Sequence, residues 1–210
     1  RAISPGEVLG TLRRRMLVDG LDLVLDLEGS RGCRLKDARH GEVYLDFFSF
    51  FASNPLGMNH PALLERSFLE RLARVAVNKT SNSDVYTTVF AEFVDAVDRI
   101  ARPACMKYFF FVEGGALAVE NALKVAFDWK VRRNFRRGAT VERGHQIMHF
   151  QWAFHGRSGY TLSLTNTADP RKTMYFPKFD WPRLPSPAIE FPLDEAENRR
   201  LDALEADVLA

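Results

Sequence analysis

The sequence predicts an α/β protein built on a mostly parallel sheet with helices on both faces, preceded by part of a small N-terminal α+β region. Three observations predict it. Residues 107–112 (KYFFFV) form a nearly continuous apolar run, as expected of a strand covered on both faces. Gly114 and Gly115 follow, and 116–133 then switch to helical spacing. A second strand is predicted over 145–150, leading into the marked segment Ala153-Phe154-His155-Gly156-Arg157-Ser158-Gly159. It lies about one βαβ unit after the first, so a right-handed crossover brings both strand ends to the same sheet edge. Near the N-terminus, 21–28 (LDLVLDLE) alternate apolar and charged positions, and 43–48 form a short apolar segment after the turn-like 37–41. These read as a small antiparallel meander.

The remaining elements follow in order. Apolar positions 63, 64, 68, 72, 75 and 76 recur at helical spacing and predict a helix over 61–77. Another is expected over 86–101, ending just before Pro103. The helix after the Gly-Gly pair finishes in Lys130, Arg132, Arg133, Arg136 and Arg137, which suit the negative end of its dipole. Residues 166–192 are rich in Pro, Phe and Lys with little periodicity and read as a long ordered surface connection. The last residues, 194–210, are amphipathic with Leu201, Leu204 and Val208 inward, and they stop without a helix-ending signal. Together with the missing initiator Met, this pattern reads as a fragment.

Composition narrows the function classes. With 210 residues and 46% hydrophobic content, the chain can bury one sizeable core, in one or two domains. The 29 Lys and Arg nearly balance 27 Asp and Glu, so there is no electrostatic case for nucleic acid or an anionic membrane. The basic helix end also lacks interleaved aromatic residues for base stacking. Cys33 and Cys105 stand far apart without CxxC spacing, which fits a reducing cytoplasmic setting better than a disulfide scaffold. No run approaches the ~18 apolar residues of a membrane span, and no signal peptide is visible.

A Gly-Gly pair between a strand and a helix is either a plain βα turn or an anion site. A helix start leaves unpaired N–H groups and a partial positive charge, and glycine lets an anion approach closely. The second marked segment favours the anion reading, because ligands of open α/β folds bind at the edge both segments share. Phe154 is either a core residue at a strand end or a stacking surface. Arg157 is either a solvated arginine or a bidentate carboxylate anchor. His155 reads as a residue that orients the turn rather than an acid or base. His145 and His149 lack a third ligand nearby, so no metal site is expected. Glu113 and Glu120 flank the Gly-Gly turn and could serve as an acid and base pair, but Glu120 reads better as a brace for the helix start or turn. No G-x-G-x-x-G is present, which argues against a dinucleotide-binding fold.

The combination of 111–124 (FVEGGALAVENALK) with Phe154-His155-Gly156-Arg157 resembles the class III pyridoxal-phosphate aminotransferases. The resemblance runs along nearly the whole chain. YLDF at 44–47 and LGMNHP at 56–61 are general to that class. NKTSNSDVY at 78–86 and FPKFDWP at 176–182 are more specific and resemble the actinobacterial L-lysine 6-aminotransferases. The resemblance implies the fold type I architecture, with 1–60 as the N-terminal part of a small domain and 61–210 as the first part of the large cofactor-binding domain. It implies a homodimer with sites at the subunit interface. It also implies that Gly115 and Ala116 hold the phosphate of pyridoxal 5'-phosphate through backbone N–H groups, that Phe154 stacks on the pyridine ring, and that Arg157 binds the substrate carboxylate. Many class III members carry Ser or Thr where this chain has Ala116, so a hydroxyl donor is absent there.

The reaction so implied transfers the ε-amino group of L-lysine to 2-oxoglutarate, giving α-aminoadipate semialdehyde and glutamate. It would serve lysine catabolism or precursor supply for β-lactam antibiotics. In the family the Schiff-base lysine lies C-terminal to the matched region, and none of the seven lysines here (36, 79, 107, 124, 130, 172 and 178) occupies that position. No catalytic residue is therefore assigned, and the chain alone is expected to be inactive. Related donors such as ornithine, acetylornithine or 4-aminobutyrate, and a non-catalytic truncated product, are the alternatives.

Overall fold

The computed structural model describes residues 1–81, 84–167 and 169–209. Asn82 and Ser83, within the specific segment 78–86, and Ala168, within the connection 166–192, lie outside the described residues. The chain forms two compact units, Arg1–Met106 and Lys107–Ala210.

The first unit opens with helix α1 (Val8–Arg13) and a small meander. Strand β1 (Arg34–Lys36) pairs antiparallel with β2 (Val43–Leu45), with Leu35 opposite Tyr44. The 21–28 segment contributes less than its alternation predicts. Only Val24, Leu25 and Asp26 lie along the sheet, through a bridge from Leu25 to Asp37 and bonds from Asp26 N–H to Lys36 O and from Ala38 N–H to Val24 O. The middle strand, Arg34-Leu35-Lys36, is absent from the sequence reading because three residues with charged ends carry no alternation. Val24 and Leu35 form the buried apolar side. Asp37 is fully buried beside them, and hydrogen bonds from the Arg39 guanidinium hold its carboxyl far below the usual carboxylate range.

Helix α2 (Arg66–Ala76) follows a 3₁₀ turn at Pro61–Leu63, so the predicted 61–77 helix is divided near its start. Helix α3 (Thr88–Ala101) begins where the Thr87 hydroxyl accepts the Phe90 N–H at 3.1 Å. It ends at Arg102, whose extended backbone is the conformation that Pro103 favours in its predecessor. An Arg71–Glu92 ion pair links the two helices.

In the second unit the run 107–112 is not a strand. A strand exists only with a neighbour to complete its ladder, and among the described residues none lies alongside; Tyr108 and Phe110 are 90% and 74% exposed. Helix α4 (Gly115–Arg136) starts at the Gly-Gly pair, as the spacing predicts. Strand β3 is short, His149–Phe150, and pairs parallel with β4 (Arg183–Leu184), which the sequence reading passed over as connection. Helix α5 (Gly159–Leu164) packs on α4, and α6 (Glu195–Leu209) closes the described chain.

The core of this unit is Leu123 of α4, Leu164 of α5 and Trp181, ringed by Val119, Phe127, Ile147 and Tyr160. Trp181 stacks on Phe179 at 5.0 Å between centroids and meets Phe127 edge-on at 5.7 Å. Residues 176–182 are therefore partly core rather than a surface connection, and this aromatic packing, worth about 0.5–1.5 kcal/mol per pair beyond area burial, fixes α5 against α4. At the far end of α4, Arg132 pairs with Asp128 and Arg133 lies 5.0 Å over the Trp129 ring, so the basic cluster is engaged with its own helix.

Candidate functional site

The two marked segments meet in the second unit. Gly115, Ala116, Val119, Phe154, His155, Gly156, Arg157 and Ser158 line one open cleft of about 660 Å³. Packing of α5 on α4 brings the loop 153–158 over the first turn of α4, so all four residues singled out from the sequence come together.

The floor of the cleft is the start of α4. Gly114 takes φ 86 and ψ 145, a conformation that side chains rarely allow, and this swings the chain into the helix. The first intrahelical bond runs from Ala118 N–H to Gly114 O. The N–H groups of Gly115, Ala116 and Leu117 precede it and have no acceptor inside the helix. No acidic residue sits in the first turn, and a Cβ added at Gly114 or Gly115 would meet nothing within 4 Å. The helix end therefore faces open space with donors that have no partner among the described residues and with a positive dipole end, an arrangement suited to a small anion.

The opposite wall is the 153–158 loop. Gly156 takes φ +115, and a Cβ there would stand 2.5 Å from the Ala116 Cβ, so glycine is required for the loop to lie on α4. Phe154 is 62% exposed and lies on the cleft rather than in the core. Arg157 is exposed, and among the described residues no carboxylate pairs with it. Its charge is available to an anionic partner.

Buried polar residues hold this loop, and the sequence reading found only one of them. The Glu120 carboxylate accepts the Ser158 hydroxyl at 2.8 Å and the Thr161 N–H at 3.2 Å, so it braces the end of the 153–158 loop and the start of α5 rather than the start of its own helix. Thr165, 1% exposed, accepts the His155 N–H at 3.0 Å and donates its hydroxyl to the Gly156 carbonyl at 2.5 Å. Ser158 and Thr161 also bond each other across a capping box. That pair is visible in sequence as Ser-x-x-Thr, a variant of the usual Ser/Thr-x-x-Glu/Gln; Thr165 leaves no comparable signal.

His149 is occupied elsewhere. Its Nε2 accepts the Arg183 Nε–H at 3.1 Å and its Nδ1 lies 3.2 Å from the Ile147 carbonyl, while Arg183 also reaches the Ser163 carbonyl. Among the described residues no three His, Cys, Asp or Glu side chains gather as a metal would require, and no helix is long and apolar enough to cross a membrane.

Comparison with known proteins identifies the family. The family model described as Aminotransferase class-III matches residues 18–208. An L-lysine-epsilon aminotransferase of Mycobacterium tuberculosis is 53% identical over 210 residues, covering 100% of this chain and 46% of the relative. The L-lysine-epsilon aminotransferase of Amycolatopsis lactamdurans is 53% identical over 207 residues, covering 95% of this chain and 46% of that protein. A solved structure, the lysine aminotransferase from M. tuberculosis in the internal aldimine form, superposes with a TM-score of 0.88 over 99% of this chain and 47% of its own. The chain thus spans about half the length of the curated relatives it matches.

Proposed function

The chain belongs to the class-III aminotransferases and has the type I fold of these pyridoxal-phosphate enzymes; from that premise we propose that the whole protein moves the ε-amino group of L-lysine to 2-oxoglutarate. The products are α-aminoadipate semialdehyde and glutamate. The observation that carries the reading is the meeting of Gly115, Ala116, Phe154 and Arg157 around one cleft. The names of the 53% identical relatives support the choice of lysine as donor.

Pyridoxal phosphate fits the residues present. The N–H groups of Gly115 and Ala116 would donate to its phosphate, since the space at the two glycines is open. With Ala at 116 no side-chain hydroxyl assists, so the hold rests on amides and the helix end. Phe154 offers its exposed face to the ring. Bound there, the cofactor supplies an electron sink for deprotonation at the carbon next to nitrogen. Arg157 clamps the α-carboxylate with two parallel bonds, which extends the ε-amine of lysine toward the cofactor, and 2-oxoglutarate reuses the same clamp. No lysine lines the cleft among the described residues. The lysine that bonds the cofactor is supplied from outside these 210 residues, in a cytoplasmic homodimer whose small domain includes 1–60 and whose large domain begins at 61.

The test is a donor panel on the whole protein loaded with cofactor. Lysine, ornithine, acetylornithine and 4-aminobutyrate are offered with 2-oxoglutarate, and glutamate is measured. Lysine is expected to give the highest kcat/KM. Preference for another donor refutes the substrate assignment, and failure to acquire the cofactor's visible absorbance refutes the cofactor.

A further inference from the structure

Arg157 lies in a loop whose backbone is pinned on both sides by buried side chains. On one side Thr165 holds the backbone of two consecutive residues, accepting from His155 N–H and donating to Gly156 O. On the other, Glu120 takes the hydroxyl of Ser158, the very next residue, and the N–H of Thr161, both on the same carboxylate oxygen. Thr165 is 1% exposed and Glu120 8% exposed. Glu120 stands four residues along α4 from Ala116, one helical turn from the anion-binding end. It ties the loop directly to the helix whose first turn carries the free N–H groups.

We infer that Thr165 and Glu120 are positioning residues that together hold the carboxylate anchor Arg157 in place relative to the phosphate turn Gly115–Ala116, and so set how well lysine and 2-oxoglutarate are seated. The proposal rests on reading Arg157 as that anchor. The physical argument is that an exposed arginine has a mobile side chain, so its reach is defined only as well as its backbone is held. Two pins flanking residue 157, each buried and each engaging two groups, remove backbone freedom at the one position where the loop bears charge. Burial strengthens these bonds and makes leaving their partners unpaired costly.

The experiment uses the whole cofactor-loaded protein and four variants, T165V, T165S, E120A and E120Q. T165V keeps the shape and removes both hydroxyl bonds, whereas T165S retains them. E120Q keeps an oxygen able to accept from Ser158 and Thr161; E120A does not. Loss of either pin is expected to raise KM for both lysine and 2-oxoglutarate by about 10- to 100-fold, the scale of an ångström misplacement, with a smaller change in kcat. T165S and E120Q are expected to restore both constants. In an R157A background T165V is expected to cost nothing further. Unchanged KM in T165V and E120A, no rescue by the conservative variants, or a loss that adds in full to that of R157A would overturn the proposal. If E120A fails to fold, S158A removes one of the two Glu120 bonds at the cleft rim, and an unchanged KM there counts against the Glu120 pin. If R157A alone leaves both KM values unchanged, the anchor reading itself fails, a result separate from any behaviour of the pins.

Discussion

Arg157 and Gly156 are adjacent, yet they matter for opposite reasons: the proposed function uses the side chain of the first, and the loop packing requires that the second have none. If Arg157 is the proposed anchor, replacing it by Ala removes a charged, bidentate contact, and the expected loss is about 2–4 kcal/mol of transition-state stabilisation for lysine and for 2-oxoglutarate alike. Steady-state kcat/KM for each substrate measures it, and a loss confined to one would contradict a shared anchor. Gly156→Ala places a methyl 2.5 Å from the Ala116 Cβ on a backbone at φ +115. We predict a destabilisation of about 1–3 kcal/mol from the backbone alone, with weaker cofactor retention because the loop must lift off α4. Thermal unfolding and cofactor content report the two effects, and unaltered values in both would show that the loop has room the geometry denies. Ala116 and Gly156 are thus a matched pair of small residues, which no reading of either motif by itself reveals.

Among the elements, α4 was the most legible and β4 the least. The long helix has a Gly-Gly start, a basic end and sustained spacing, all local signals. Two-residue strands have no periodicity to detect, and β3 and β4 exist because 149–150 and 183–184 meet across a parallel crossover. Trp181 similarly reads as loop in a Pro-rich stretch, but its ring fills the space between α4 and α5. Helix α6 shows the same dependence on a distant partner. Its most buried residue is Glu197, which bonds Arg200 and accepts the Glu190 N–H at 2.8 Å. The Arg200 hydrogen bonds, assisted by that N–H, lower its carboxyl from the ordinary 4.5 to about 2. A depressed folded value contributes stability that is fully present above the unfolded value and is lost as protons bind. Stability is therefore expected to fall as pH drops from about 4.5 to about 2. E197Q should flatten that portion of the Tm-versus-pH curve, and an identical slope in the variant would assign the acid sensitivity elsewhere.

At the scale of the molecule, the apolar run 107–112 is the clearest mark of structure beyond these residues' own contacts. Its alternating neighbours Tyr108 and Phe110 are both largely exposed here, although a run this apolar is suited to a strand covered on both faces. We predict that in the whole protein 107–112 is a paired central strand, with amide hydrogen exchange slowed at least as much as in α4. Rapid exchange across the segment would refute it. The near balance of 29 basic and 27 acidic residues leaves no broadly charged surface, so on the proposed reading single placed charges such as Arg157 carry the recognition.

By itself, the sequence determined the features that are written locally: the glycine-opened helix, the proline-terminated α3, the family resemblance, and the identity of Gly115, Ala116, Phe154 and Arg157 as the residues to watch. Only the tertiary structure decided that these four line one cleft, that Gly156 must be glycine because Ala116 lies beneath it, and that Thr165 and Glu120 hold the loop between them. The reason is physical. Turn, cap and helix signals act over a few residues of chain, whereas the bond from Glu120 to Ser158 spans 38 positions and exists only once α5 has packed against α4.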